Sequence, residues 1–322
     1  MPVRVRRKLA WVQPSERRAI NTSLGRTGTG PEERGKPLCL IYANCQAAAF
    51  AALLPRIQKL SEQLCVRYIF SHLLEEPGHG WETYPATYMD GVTCVWEQVS
   101  EAFPRVREEF HRRLPKGIRR VRFPAFSAGM LWPFAGPDPR PSRRPLYLYG
   151  DSVAARLGMQ LAGKQVTDDE IFSRYMEMSH KRMPDLDRLL ELEVALWQKR
   201  DRESDISVAS YLLENYQSIQ LFYERARITQ HPLIHITMKL LHETMDGGVS
   251  NKAEILEDVA LQLRYHRGVD TFSQPIHPSV ADKFQLKWYD PDATYRWFMH
   301  DWIFREWVVR CVRLAPYVST HF

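Results

Sequence analysis

Residues 37–43, Pro-Leu-Cys-Leu-Ile-Tyr-Ala, form an unbroken apolar run, which predicts a strand covered on both faces, as in a parallel sheet. Gln46–Leu64 then follows helical spacing with a kink at Pro55. Cys65–Phe70 alternates as a second strand and Gly91–Trp96 as a third. Residues 115–145 are rich in proline, arginine and aromatics and predict an ordered but irregular excursion. Leu146–Tyr149 is a further strand candidate, followed by Gly150-Asp151-Ser152 and a helix.

Beyond that point the periodicity is helical, over Leu186–Lys199, Ile206–Arg225, Leu233–Met245, Ala253–Tyr265 and Ala293–Leu314. Thr167-Asp168-Asp169-Glu170 has the spacing of a capping box, in which the Thr hydroxyl and the Glu carboxylate each satisfy an orphan backbone N–H. The pattern predicts an α/β fold in a single domain over 37–322. Residues 37–165 would supply a parallel-sheet core, and residues 166–322 a large, predominantly helical C-terminal part.

Charge changes the picture at one end. The chain of 322 residues carries a formal +6, but residues 1–36 hold nine Lys/Arg against three Glu, leaving 35 basic and 35 acidic residues in the rest. A neutral body argues against a nucleic-acid partner, whose binder carries its charge on the folded surface. The basic segment 1–36 reads as a disordered tail that aids solubility, with weak attraction to an anionic membrane face as the sharper alternative. Arg4–Lys8 is followed by too short an apolar stretch for a secretion signal. The longest apolar stretch, Leu38–Leu54, contains Asn44 and Gln46 and reads as a strand turning into a helix, not as a transmembrane segment. The five cysteines are scattered and never paired as C-x-x-C, which suits a cytoplasmic protein and offers no metal cluster. There is no Walker loop, G-x-G-x-x-G or H-E-x-x-H pattern.

The candidate chemistry centres on Asn44-Cys45-Gln46, where the first strand turns into a helix. A thiol at a helix N-terminus is favoured as thiolate by free N–H groups and the helix dipole, and the same groups can hold an oxyanion. The flanking amides are donors of the type oxyanion holes use. The same residues also suit a small buried cysteine between two capping amides. A base is needed, and His231 and His277 each precede a proline, which biases them to a loop just before a helix. His231 is the stronger candidate because apolar segments anchor it on both sides, whereas loop histidines in general are solvated. A second strand-turn-helix presents Gly150-Asp151-Ser152, like the nucleophile block of SGNH hydrolases. No histidine here has Asp three residues before it, so Asp151 and Ser152 read better as a helix-capping pair. The excursion carries Arg119, Arg120, Arg143 and Arg144 among aromatics, a set suited to a ligand with several phosphates and a stackable base, or to a solvated basic loop.

The order strand, Asn44-Cys45-Gln46, helix, then Val95-Trp96-Glu97-Gln98-Val99, then Leu221-Phe222 shortly before His231-Pro232, resembles the WcbI family of polysaccharide-biosynthesis enzymes over roughly Leu38–Phe298. That resemblance implies an SGNH-like α/β core and a role as an acetyltransferase of capsule assembly that uses coenzyme A or acetyl-coenzyme A. It implies that Asn44, Cys45 and Gln46 form the family's first motif, with Gln98 on the neighbouring strand end and His231 at its His-Pro position. Gln230 stands where the family more usually has Asn. The expectation is thus acyl transfer from a coenzyme A thioester to a sugar or polysaccharide hydroxyl. In it Cys45 is nucleophile or thiolate, His231 the base, Asn44, Gln46 and Gln98 the oxyanion ligands, and the four arginines the phosphate ligands. Two alternatives stand beside it: an esterase or thioesterase using Ser152, and a non-catalytic coenzyme A-binding or scaffold protein of glycan assembly.

Overall fold

The first apolar run does form a doubly covered strand. The computed structural model describes residues 35–44, 46, 50, 54–74, 80–102, 104–135, 151–245, 251–265, 273–297 and 300–317. In it β1 (Leu38–Ala43) is buried at every position. It lies in a parallel four-stranded sheet with β2 (Cys65–Phe70), β3 (Val92–Val99) and β4 (Arg119–Pro124), in the order β2-β1-β3-β4. The third strand thus runs past Trp96 as far as Val99 and carries Gln98 within it. The remaining strands are β5 (Phe222–Glu224), β6 (Arg227–Ile228), β7 (Tyr295–Trp297) and β8 (His300–Trp302).

In chain order the helices are α1 (Gln58–Gln63), α2 (Pro104–Arg113), α3 (Ser152–Leu161), α4 (Asp168–Arg182), α5 (Leu186–Arg202), α6 (Ala209–Asn215), α7 (Gln230–Thr244), α8 (Lys252–Tyr265), α9 (Pro278–Lys283) and α10 (Phe304–Leu314). The outcome is an α/β protein with a parallel-sheet core followed by a mainly helical C-terminal part, as the periodicity predicts.

The chain divides into two compact units. The first takes its described residues from Met1–Ala125, Trp197–Ser210 and Ile228–Val269, the second from Phe126–Leu196, Tyr211–Arg227 and Asp270–Phe322.

In the first unit the sheet has an apolar layer on each face. Tyr42 stacks on Phe110 of α2 at 4.1 Å between centroids, within a cluster that includes Leu40, Ile69, Val95 and Val106. On the other face Phe50 meets Trp96 and Phe123 edge-on at 6.2 and 6.0 Å. The Trp96 indole donates to Thr244 Oγ1 at 2.7 Å, fastening the end of α7 to this face. Arg119, at the start of β4, donates to the Glu243 carbonyl. One turn earlier on α7, Lys239 donates to the Ser207 carbonyl, and Ser207 adjoins Asp205 and Ile206, which bond to Arg122 further along β4. Helix α7 therefore runs antiparallel to β4, and its first turn points towards the carboxyl edge of the sheet.

Strand β4 corrects the expectation of an irregular excursion. Its sequence Arg-Arg-Val-Arg-Phe-Pro alternates exposed arginines with buried Val121 and Phe123, because it is an edge strand. Its outer rim is bonded to a loop. The Arg122 N–H donates to Asp205 Oδ2 at 2.7 Å, and the Arg122 carbonyl accepts from the N–H groups of Asp205 and Ile206 at 2.9 and 3.2 Å.

In the second unit α3, α4 and α10 enclose Leu157, Ile171, Tyr175, Trp307 and Val308. Helix α3 approaches α10 so closely at Gly158 that an added Cβ would lie 2.3 Å from the Val312 carbonyl oxygen. Thr167 and Glu170 form the expected capping box at the start of α4. Two long helical expectations are corrected. Ile206–Arg225 is helical only over Ala209–Asn215 and then becomes β5, and Ala293–Leu314 opens with the antiparallel pair β7 and β8 before α10. In the first case the adjacent Phe222 and Tyr223 lie on β5, and in the second Tyr295 and Trp297 alternate on β7. The strand candidate Leu146–Tyr149 and the basic segment 1–34 lie outside the described residues.

Candidate functional site

The strand order fixes where a ligand site belongs. From β1 the chain goes outwards to β2 on one side and to β3 on the other, so the topology switches between β1 and β3. In open parallel sheets ligands bind at the carboxyl ends of the strands at such a switch. Asn44 follows the last residue of β1, and Gln98 is the penultimate residue of β3.

These two ends are joined through side chains. The Asn44 N–H donates to Gln98 Oε1 at 3.0 Å, and Gln98 Nε2 donates to Gln46 Oε1 at 2.6 Å. The Gln46 N–H donates in turn to Asn44 Oδ1 at 2.9 Å. Gln46 and Gln98 are buried and Asn44 is half-buried. In a site shielded from water such bonds are strong and hold their members in one rotamer. One carboxamide on β3 thus braces the residues on both sides of position 45. Cys45 itself lies outside the described residues.

The end of β3 is held from the opposite face as well. Arg107 of α2 donates from Nη2 to the carbonyls of Gln98 and Ser100 at 3.3 and 2.6 Å, and its Nε stands 3.8 Å from buried Glu97. His111 and Arg120 also face Glu97, at 2.8 and 3.5 Å. Sequence reasoning passed over Arg107, since nothing in a charged helix distinguishes the arginine that reaches back to the preceding strand. Further along the same edge Glu101 takes Lys199 and Arg200 at 3.0 and 2.8 Å. Hydrogen bonds from these two hold its carboxyl down at about 2, against the cost of its partial burial.

His231 is the second residue of α7, inside the helix and not on a preceding loop, which corrects the expectation. Proline at 232 fits because first-turn N–H groups have no intrahelical acceptor. The direction of α7 sets His231 at the carboxyl-edge end of the helix, on the same face of the sheet as Trp96, whose side chain alternates in phase with Gln98. The Gln230 amide nitrogen lies 3.4 Å from His231 Nε2, so the longer amide does reach the imidazole.

The arginines divide differently from expectation. Arg119 and Arg120 pair with Cys94 and Val95, four and three residues before Gln98 on β3. At about 3.3 Å per residue they start roughly 10–13 Å from the carboxyl edge. Arg119 is engaged by the Glu243 carbonyl and Arg120 by Glu97. The structure does not bring them to Asn44 and Gln98; the reason is that 119–124 is strand, where the loop expectation left their position free. Arg143 and Arg144 lie outside the described residues.

In the second unit Asp151 caps α3, accepting from the N–H groups of Val153 and Ala154 at 2.8 Å each and from the Tyr175 hydroxyl. Burial lifts its carboxyl to about 6, in opposition to these bonds. Asp151 is thus a helix cap, and among the described residues no histidine is bonded to Ser152. His277 precedes a helix as expected, but it is buried, not solvated: its Nδ1 accepts from the Ser279 N–H at 3.2 Å and its Nε2 faces Ser179 Oγ at 3.0 Å. Burial, then the nearby His180, lowers its pKa to about 4.

Among the described residues there is no group of three His, Cys, Asp or Glu placed to hold a metal ion, and no helix long and apolar enough to cross a membrane. Cys39, Cys65, Cys94 and Cys311 are free and buried.

A doubly covered parallel sheet with an amide-braced turn at its switch point defines an α/β protein of the kind that binds ligands at the carboxyl edge of its sheet. The sequence profile of the polysaccharide biosynthesis enzyme WcbI family matches residues 38–246, and the chain belongs to that family. A solved structure described as WcbI, a novel polysaccharide biosynthesis enzyme, in native form without a disulfide bond between coenzyme A and one of its cysteines, is similar to this chain. It has a TM-score of 0.64 over 87% of this chain and 90% of that one, at 17% identity, a likeness of fold. No curated protein matches.

Proposed function

We propose that this enzyme of polysaccharide biosynthesis transfers an acyl group, acetyl in the simplest case, from a coenzyme A thioester to a hydroxyl of a sugar or polysaccharide precursor. The observation that carries the reading is the Gln98 carboxamide, which joins the residues on either side of Cys45 at the switch point of the sheet. A turn held that firmly suits a reaction in which a carbonyl becomes a tetrahedral oxyanion, since fixed donors need not reorganise as charge develops. The association of the solved WcbI structure with coenzyme A supports the choice of donor.

In this reading the Cys45 thiolate attacks the thioester carbonyl, coenzyme A leaves as its thiolate, and an acyl-cysteine remains. His231 takes the proton of the sugar hydroxyl as the oxygen attacks that carbonyl, and Cys45 leaves. Asn44 and Gln46 stabilise the oxyanion, while Gln98 acts by holding them. A direct route uses the same groups, with His231 as base and Cys45 only seating the thioester. Of the proposed phosphate ligands, Arg143 and Arg144 remain assigned to the coenzyme, and Arg107, Lys199 and Arg200 lie closer to the carboxyl edge than Arg119 and Arg120.

The test is turnover of acetyl-coenzyme A by Cys45→Ala and Ser152→Ala. Loss of activity in the first with retention in the second is expected. Activity that survives in Cys45→Ala and disappears in Ser152→Ala would sink the proposal in favour of the hydrolase. Calorimetry with coenzyme A that shows no heat would favour a scaffold.

A further inference from the structure

Helices α3 and α4 enclose a groove of about 430 Å³ on the surface of the second unit, lined by Leu157, Gln160, Leu161 and Lys164 on one side and Arg174, Glu177, Met178 and Lys181 on the other. Leu157, Gln160 and Leu161 share one face of α3 and the second set one face of α4, at spacings of three and four, while Lys164 follows in the turn after α3. The floor offers little to a hydrocarbon, because Leu157 and Leu161 are only 2% and 8% exposed. The lining a ligand can reach is mixed, apolar from Met178 and the stems of the long side chains and polar at their charged and amide ends.

Three cations and one carboxylate line it. Lys181 is paired with Glu177 at 2.5 Å. Lys164 and Arg174 make no side-chain hydrogen bond or ion pair with any described residue, and Arg174 acts only at a distance on exposed Glu170. Two free cations beside a Gln amide and one paired Glu make a set rich in donors with a few acceptors. That set matches a ligand bearing anions and hydroxyl groups together. Among the described residues no aromatic side chain lines the groove, so they offer no stacking surface to a nucleotide base.

We propose that this groove binds an acidic saccharide, a sugar chain carrying carboxylates, with Lys164 and Arg174 as its anion ligands. The proposal rests on the reading above for the class of molecule, a glycan, but not for the chemistry done on it. It names the acceptor as an anionic polymer with a binding surface of its own in the second unit.

The test is calorimetric titration of the full-length protein with tetragalacturonate, with maltotetraose as the neutral control. Both are compared in wild type and in the Lys164→Glu/Arg174→Glu variant. Both side chains are exposed, and an unchanged circular dichroism spectrum shows that the variant has folded. Tetragalacturonate should bind wild type, weaken with added salt, and bind the variant roughly tenfold more weakly or less; maltotetraose should give no comparable heat. Equal affinity in the variant, equal binding of the neutral sugar, or binding of anionic vesicles with no binding of tetragalacturonate would overturn the proposal. Acetyl-coenzyme A turnover in the same variant separates the two readings. Turnover lost in Cys45→Ala but kept here leaves acyl transfer standing whatever the saccharide does.

Discussion

Gln98 Nε2 and Gln46 Oε1 lie 2.6 Å apart, and the same Gln98 carboxamide accepts the Asn44 N–H at 3.0 Å. Both of its ends are thus used to hold other residues. Gln98→Glu keeps the acceptor, loses the donor to Gln46, and adds a negative charge beside position 45. Turnover of acetyl-coenzyme A should fall about a hundredfold, the scale expected when reacting groups are misplaced by an ångström. The alkylation rate of the Cys45 thiol should shift to higher pH. Unchanged kinetics together with an unchanged alkylation profile would show that the bridge is only a packing feature.

Four of the five cysteines are buried, and of these the Cys94 thiol is held below its usual range, first of all by its hydrogen bond with Cys39. The Cys39 and Cys311 thiols are pushed well above their usual range by burial. Brief treatment of the native protein with iodoacetamide at neutral pH should therefore modify Cys45 first. Peptide mass spectrometry reads the site, and faster labelling of another cysteine than of Cys45 would count against a thiolate there.

Two buried groups of the second unit titrate in opposite senses. Asp151 is raised to about 6 from about 3.9 in an unfolded chain, so its contribution to stability is greatest below pH ~4 and is lost as pH rises through 6. His277 is lowered to about 4 from about 6.5, so its contribution is present above pH ~6.5 and is lost as pH falls through 4. Between pH 4 and 6 the two slopes offset one another. Asp151→Asn keeps a capping side chain but removes the first slope. The variant should lose stability on acidification more steeply than wild type, read as the difference in Tm across pH 4–7. A difference independent of pH would contradict the assignment.

Gly158 permits the close crossing of α3 and α10. Gly158→Ala gains about 1 kcal/mol in helix propensity, but the new methyl meets the Val312 carbonyl and the Ala315 Cβ, at 2.3 and 2.5 Å. Overpacking costs about 1–3 kcal/mol or more where backbone must shift. Denaturant unfolding should show a net loss; a gain would mean the helices separate freely.

The sequence was most informative where a residue's neighbours along the chain decide its structure. Leu38–Ala43 reads as a strand because both of its faces are apolar, and Thr167 with Glu170 reads as a helix start because each bonds the other's backbone. Strand β4 was hidden because arginines on an edge strand look like a loop, and with it the place of Arg119 and Arg120. The residues of the turn could be named from the strand-to-helix change at Asn44. That Gln98 bonds to both sides of Cys45 depends on β3 lying beside β1, a fact of strand order that no local pattern carries. The groove beside Lys164 and Arg174 was likewise invisible, since it requires two helices to face each other.

The loop that bonds to the outer rim of β4 has a consequence for the protein in a crowded cell. A bare edge strand is a template onto which another chain can add, and that is a common route to aggregation. Here the Arg122 N–H and carbonyl are already taken by Asp205 and Ile206, and the guanidinium of Arg122 closes on the same carboxylate at 2.8 Å. At Arg122 a foreign strand would find its hydrogen-bonding groups occupied and a charged pair in its way.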